Sequence, residues 1–139
     1  MLSSHGSFTL NYDQQGTGEP LILLPFLTAD HACYAFQVAE LYLHLSGTGE
    51  SDEIAGVYST EVLADDVAAF MRGLGIPKAH ISGLSLGAAI GGMWLAAKYP
   101  EMVTSWSLHS GWAKTDAYRR TVIEGFQVMA KAIGAFPKW

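Results

Sequence analysis

The sequence predicts an α/β fold in which a parallel sheet carries helices on both faces. The first reason is that short apolar runs alternate with amphipathic helix patterns along the chain. The second is that the run Leu21–Leu24 is apolar throughout, as strands buried on both faces are. The third is a tight turn, Gly83-Leu84-Ser85-Leu86-Gly87, which joins a strand pattern to a helix pattern. Such alternation favours parallel strands joined by right-handed crossovers.

The composition is that of one globular domain over residues 1–139. Half of the 139 residues are hydrophobic, so a core is feasible. The net charge of −5 argues against a nucleic-acid or anionic-membrane partner. The single cysteine excludes an intrachain disulfide. The first ten residues lack a signal-peptide pattern and no apolar run is long enough to span a membrane, so a soluble, cytoplasmic protein is expected.

The first half of the chain holds three strand patterns and one helix pattern. Residues 7–12 form a weak strand pattern, and residues 21–24 a strong one ended by proline. A helix is predicted over 31–40 and a strand over 41–45. No glycine, asparagine or proline separates these two, although a helix-to-strand connection normally needs a cap and a loop. Either the helix ends early or a piece of chain has been lost here.

The second half alternates more regularly. Ser59 or Thr60 caps a helix that glycines and Pro77 end. A strand at 79–82 leads into the turn, a helix over 86–99 and a strand over 103–108. A last helix begins at Thr115 or Asp116, and its apolar stripe is Tyr118, Val122, Phe126, Met129 and Ile133.

The glycine turn has the G-x-S-x-G spacing of a nucleophile elbow. A sharp strand-to-helix turn pushes the Ser85 hydroxyl outward, while the N–H of Leu86 points to where an oxyanion would form. The alternative is an ordinary strand-to-helix turn, because these residue types are common. The surrounding strand and helix patterns favour the elbow.

A serine nucleophile needs a hydrogen-bonded base. His109 is the best local candidate, since it ends the strand next to the elbow strand, about 5 Å away. His31 is the second candidate, whereas His5, His44 and His80 are less well placed. The alternative for each is a histidine that is simply packed or solvated. No metal-ligand spacing and no nucleotide-binding loop occurs, so no metal or cofactor is expected.

Six segments in order resemble the α/β-hydrolase fold family, and within it the 3-oxoadipate enol-lactonases and related esterases. They are G-T-G-E-P-L-I-L-L at 16–24, G-T-G-E-S at 47–51, Y-S-T-E-V-L-A-D-D-V at 58–67, L-G-I at 74–76, G-L-S-L-G at 83–87 and A-A-K-Y-P-E-M-V at 96–103. The resemblance implies that Ser85 is the nucleophile and that Leu86 gives one oxyanion-hole N–H. It also implies a second N–H from Phe26 or its neighbour.

The chain departs from the family pattern in three places. Pro25-Phe26 stands where family members commonly have His-Gly, and His44 and Ser46 stand where they have Asp and Arg. The family places its triad acid and histidine on strands after the serine. This chain ends where the cap region begins, which predicts a truncated fold without the cap and the C-terminal strands.

Two functions follow as hypotheses. The first is a serine hydrolase that acts on small carboxylic esters or lactones through a Ser85 acyl-enzyme; an acyltransferase would use the same serine. The second is a catalytically incomplete fragment that serves as a structural or association module. In either case we expect a homo-oligomer, formed through the bare edge of the strand at 103–108 and the apolar last helix with Trp112, Phe136 and Trp139.

Overall fold

The computed structural model describes residues 2–5, 8–27, 29, 31–34, 41–43, 51 and 59–134. Its centre is one six-stranded sheet with the strand order β1-β2-β4-β3-β5-β6. The strands are β1 Leu2–His5, β2 Phe8–Asp13, β3 Leu21–Leu24, β4 Leu41–Leu43, β5 Ala79–Leu84 and β6 Val103–His109. The four strands from β4 to β6 are parallel, so the predicted parallel α/β sheet is confirmed.

The start of the sheet differs from the prediction. β1 pairs antiparallel with β2, and β2 pairs antiparallel with β4. β1 was not predicted, because residues 2–5 are mostly polar and lack a strand pattern. The strand predicted over 41–45 is seen at Leu41–Leu43, and the two residues that follow lie outside the described part of the chain. Of the helix predicted over 31–40, residues 31–34 form a 3-10 turn and the rest is not described.

Three helices follow in the second half of the chain. Helix α1 covers Thr60–Gly73, and the Ser59 side chain caps it by accepting the N–H of Val62. Helix α2 runs over residues 86–98, and helix α3 covers Ala117–Ala132. Asp116 caps α3 by accepting the N–H of Arg119 at 2.8 Å. These positions agree with the predicted ones.

The core lies between the sheet and the layer of α1 and α2. Alternate side chains of β3 and β5 point into this layer, including Ile22, Leu24 and Ile81. They meet one buried cluster that also contains Val67, Ala68, Phe70, Met71, Ile90 and Leu95. The opposite faces of β5 and β6 carry polar side chains, beginning with His80 and Ser105. Because the apolar side chains of β5 are buried against the helix layer, its polar side chains lie on the opposite face of the sheet.

Candidate active site

Ser85 is the single residue between the end of β5 and the start of α2. Its backbone has φ 55° and ψ −106°, a left-handed conformation that is strained for a residue with a Cβ atom. The Ser85 N–H donates to the carbonyl oxygen of His109 at 2.8 Å, and the Ser85 carbonyl accepts the N–H of Ala89 at 3.2 Å. These two hydrogen bonds hold the strained residue from both sides.

Two glycines make this turn possible. A Cβ atom on Gly83 would overlap the main chain of Gly87 and Ala88, and a Cβ on Gly87 would overlap the carbonyl group of Leu24. Since the clashing atoms are backbone, no side-chain rotation could relieve them. The G-x-S-x-G spacing is therefore required by close main-chain packing, and the tight elbow geometry expected from the sequence is present.

The predicted oxyanion donors are placed by two neighbouring chain segments. Leu86 is the first residue of α2, so its N–H is one of those that a helix leaves without an intrahelical acceptor. Phe26 follows β3 two residues after Leu24, which is level with Gly83 in the sheet. The Phe26 side chain is 38% exposed, and its carbonyl accepts the N–H of Ala29 at 3.1 Å. Both segments thus end at the edge of the sheet that carries Ser85.

Tyr34 is hydrogen-bonded to the end of β3. Its hydroxyl donates to the carbonyl oxygen of Leu24 at 2.8 Å. Burial, with a smaller effect of the neighbouring Cys33, raises the pKa of Tyr34 from 10.0 to about 12. The phenol is therefore a stable hydrogen-bond donor at neutral pH. Sequence reasoning missed this residue, because nothing in the spacing of an aromatic residue in a short turn marks its partner.

His109 lies at the end of β6, beside the elbow strand. Its main chain is bonded to Ser85, but its exposed imidazole lies on Ser107, with 3.2 Å between Nε2 and the Ser107 Oγ. Among the described residues, no hydrogen bond joins the Ser85 hydroxyl to a histidine. The Asp116 carboxylate, a few residues further along the chain, caps α3. The structure therefore brings Ser85 and His109 together through the backbone and not through their functional groups.

The other histidines are distributed around the sheet. His31 begins the 3-10 turn after the Phe26 loop, and His5 ends β1. His80 lies near the start of β5 and is bonded there to other side chains, in agreement with its placement away from the elbow. His44 lies outside the described residues.

Helix α2 has an irregular centre. Residues Ala89–Leu95 are π-helical, between short α-helical turns. Within this stretch Gly91 and Gly92 let the helix approach the sheet, because Cβ atoms there would meet Ile81 and the ring of Trp106. Widened turns of this kind occur often near functional sites. The sequence indicated the close approach through its small residues, but not the change in helical period.

The described residues hold no group of three or more His, Cys, Asp or Glu side chains that could bind a metal ion. Nor does any helix in this part of the chain have the length and apolar character needed to cross a membrane.

Comparison with known proteins agrees with this geometry. Residues 36–135 match the family model described as the alpha/beta hydrolase fold. The chain belongs to the α/β-hydrolase fold family. Among curated relatives, RutD of Azorhizobium caulinodans, whose name gives it provisionally as a carbamate hydrolase, is 32% identical over 127 residues. The match covers 86% of this chain and 47% of RutD, so the chain spans about half the length of that relative.

Solved structures show the same fold and the same partial coverage. A thermophilic esterase from Thermogutta terrifontis is 27% identical with a TM-score of 0.77, over 89% of this chain and 52% of the esterase. The enol-lactonase from Burkholderia xenovorans LB400 is 24% identical with a TM-score of 0.77, over 100% of this chain and 59% of the enol-lactonase. The match to the enol-lactonase is a likeness of fold. The resemblance stated from the sequence motifs is thereby confirmed at the level of the family.

Proposed function

We propose that this chain carries the nucleophile of a serine hydrolase that acts on small carboxylic esters or lactones through an acyl-enzyme on Ser85. The observation that carries the proposal is the strained backbone of Ser85, held between two glycines that have no room for a Cβ atom. Strain of this kind persists where the surrounding structure enforces it, and it is common at active sites. An ordinary strand-to-helix turn has no need of it.

The proposed reaction has two steps. The Ser85 Oγ attacks the carbonyl carbon of the ester, its proton passes to a base, and the alcohol leaves. Water then releases the carboxylic acid from the acyl-serine. The N–H groups of Leu86 and Phe26 stabilise the oxyanion in both steps, a contribution worth about 10²–10³-fold in rate for a single donor. The relatives named as an esterase and as RutD support an acyl or carbamoyl substrate, and carbamates belong in the substrate panel.

His109 is the first candidate for the general base that takes the Ser85 proton. Its carbonyl oxygen already holds the Ser85 N–H, so the two residues keep a fixed spacing. The imidazole would have to exchange Ser107 for the Ser85 hydroxyl. The alternative comes from the family resemblance, in which the acid and histidine follow on later strands.

The first test is the intact mass of the protein after exposure to a fluorophosphonate probe. The labelled protein is then digested, and we expect tandem mass spectrometry to find an adduct on the Ser85 peptide of the wild-type protein and none on the same peptide of Ser85→Ala. His109→Ala tests the base: a rate of labelling unchanged by this substitution excludes His109 as the base. A folded wild-type protein that leaves Ser85 unlabelled contradicts the proposal.

A second candidate function, a non-catalytic association module, is favoured by the exposure of α3. Its stripe residues Tyr118, Phe126, Met129 and Ile133 are between 51% and 79% exposed. β6, at the end of the strand order, also presents Trp106 and Leu108 at 46% and 44% exposure. Since exposed apolar side chains in such numbers mark interaction sites and an edge strand can pair with another chain, we propose a homo-oligomer formed through β6 and α3.

A further inference from the structure

Three side chains from three separate segments are joined by hydrogen bonds near the start of β5 and β6. Nδ1 of His80 lies 2.7 Å from Oγ of Ser105, and Nε2 of His80 lies 3.0 Å from Oε2 of Glu19. The backbone N–H of His80 also donates to the carbonyl of Pro20 at 2.8 Å, which fixes the histidine beside the segment that carries Glu19. Glu19, His80 and Ser105 are called the Ser105 cluster below.

The hydrogen-bonding roles within the Ser105 cluster follow from the chemistry of its members. An ionised carboxylate only accepts hydrogen bonds, so a neutral His80 carries its proton on Nε2 and donates it to Glu19. Nδ1 then has a free lone pair, and the Ser105 hydroxyl must be the donor. This is the connectivity of a serine–histidine–carboxylate triad with the two ring nitrogens exchanged.

The Ser105 cluster is separate from the elbow. His80 is five residues before Ser85 on β5, which is about 16 Å along an extended strand. The side chains also point to the other face of the sheet, because the residues next to His80 and Ser105, Ile81 and Trp106, face helix α2. A reaction at Ser105 would therefore share no group with a reaction at Ser85.

An open surface cavity of about 580 Å³ lies against the Ser105 cluster. The Leu21 side chain, which pairs in register with His80, contributes an apolar part of its wall, and Ser107 contributes a hydroxyl. The carboxylate of Glu19 and the net charge of −5 disfavour an anionic ligand. The chemistry of the cavity therefore suits a small uncharged ester with an apolar acyl group.

We propose that Ser105 is a second nucleophilic serine, with His80 as its general base and Glu19 as the residue that orients the base. The Ser105 oxygen bonds to the ester carbonyl carbon while its proton moves to Nδ1 of His80. The bond from that carbon to the alcohol oxygen then breaks, and His80 returns the proton to the departing alcohol. Water attacks the acyl-serine by the same route, which releases the carboxylic acid and restores the Ser105 hydroxyl.

The test uses the Ser85→Ala protein, so that no label on the elbow obscures the result. The protein is treated with a neutral fluorophosphonate, digested, and the labelled peptide is sequenced by tandem mass spectrometry. We expect the adduct on Ser105. Ser107 is an internal control on the same strand, because it contacts a histidine that has no carboxylate partner in the described structure. We expect Ser107 to remain unlabelled.

Two further substitutions test the role of the partners. His80→Gln should slow labelling of Ser105 by about 10²-fold, the lower range for loss of a general base. Glu19→Gln should slow it by about tenfold, because solvent screens a carboxylate whose side chain is 85% exposed. Glu19 lies on the surface, so this variant keeps its fold. A folded Ser85→Ala protein without an adduct on Ser105, or an unchanged rate in His80→Gln, overturns the proposal. Neither result bears on Ser85.

Discussion

Ser85 combines a functional requirement with a local energetic cost. Its left-handed backbone exposes a hydroxyl at the tip of a turn, and a conformation of this kind costs about 1–3 kcal/mol for a residue other than glycine. The surrounding structure offsets this cost through the close packing of three segments: the end of β3, the turn itself and the end of β6. Changes that loosen this fit should act on Ser85 even where they leave its hydroxyl in place.

Gly87→Ala should destabilise the protein and abolish labelling of Ser85. The added methyl group would overlap the carbonyl of Leu24, so β3 and the turn must separate. We expect a loss of about 3 kcal/mol or more in the free energy of unfolding, as for other changes that overpack or strain the interior. Urea denaturation measures this loss.

Gly125→Ala is the matched control for that substitution. Gly125 lies in α3, and a Cβ atom there would have open space around it. The same chemical change should therefore stabilise the helix by up to about 1 kcal/mol. Equal effects of the two substitutions would contradict the argument from close packing.

Tyr34→Phe should change the stability of the protein at high pH. Burial raises the Tyr34 pKa from 10.0 to about 12, so the folded state holds the phenolic proton more tightly than the unfolded state does. The stabilisation is fully present below pH 10 and is lost as the pH rises from 10 to about 12.

The phenylalanine variant lacks this titration and should lose less stability than the wild type over that interval. At pH 7 it should be less stable by about 1 kcal/mol, because the Leu24 carbonyl loses its donor. Urea denaturation at pH 7, 10 and 11 gives both comparisons. A parallel decline of the two proteins above pH 10 would contradict the assignment.

At the residue scale, the sequence predicted the elbow but not the surroundings of His109. The elbow depends on the local spacing of Gly83, Ser85 and Gly87, which the sequence shows directly. The direction of the His109 ring depends on a competition with Ser107, two residues earlier on the same face of β6. Such a competition is decided by side-chain rotamers that spacing alone does not determine. The roles of Ser85, Leu86, Phe26 and His109 remain predictions.

At the scale of the elements, α1 and the end of α2 are joined by a surface network around Asp65. The Tyr99 hydroxyl donates to Asp65 at 2.7 Å, and the Lys98 ammonium donates to it at 2.8 Å. Arg72 lies 4.9 Å above the centre of the Tyr99 ring. Burial raises the pKa of Asp65, but the hydrogen bonds from Lys98 and Tyr99 outweigh it and hold the pKa below its ordinary value of 3.8.

Asp65→Asn should therefore destabilise the protein at neutral pH and reduce its sensitivity to acid. The pKa of Asp65 is lower in the folded state, so its stabilisation is present above pH 3.8 and is lost as the pH falls below that value. We expect about 0.5 kcal/mol at pH 7, since solvent weakens an exposed ion pair. Urea denaturation at pH 7 and pH 3 measures the difference from wild type.

Glu61→Gln is the control for this network. Glu61 lies 3.5 Å from the Lys98 ammonium, a longer contact than that of Asp65. The control should show a smaller loss at pH 7 and retain the acid sensitivity of the wild type. If Asp65→Asn lowers the free energy of unfolding by the same amount at pH 7 and at pH 3, the predicted link between Asp65 titration and stability is refuted.

The elements that the sequence predicted best are those with a strong apolar pattern and a clear end. Helix α1 has its Ser59 cap and terminal glycines, β3 is an apolar run, and β5 buries every second residue in the core. β1 was missed because its pairing with β2 comes from the hairpin and not from its own composition. The π-helical centre of α2 was missed because its period depends on packing against Ile81 and Trp106.

At the scale of the whole molecule, the described chain has one well-covered end and one open end. The core of β2, β3, β5, α1 and α2 is closely buried, whereas all residues of β6 after Val103 are exposed. Of the residues of α3, Ala130 alone is buried. Comparable sheets bury both faces of their parallel strands. The open end is therefore where an association of two chains would cover the most apolar surface.

Phe126→Gln combined with Met129→Gln should weaken this self-association. Both side chains lie on the α3 stripe and are more than half exposed, at 51% and 56%. Burying one such side chain contributes about 1.5–3 kcal/mol, so the loss of both should raise the dissociation constant of the oligomer by at least about tenfold.

Val128→Gln is the matched control. Val128 is 67% exposed but lies on another side of the helix, because an α-helix has 3.6 residues per turn. Size-exclusion chromatography with light scattering should show a concentration-dependent oligomer for the wild type and for Val128→Gln, and a shift to monomer for the double variant. A wild-type protein that stays monomeric at micromolar concentration, or a loss of association in Val128→Gln alone, would rule out this surface.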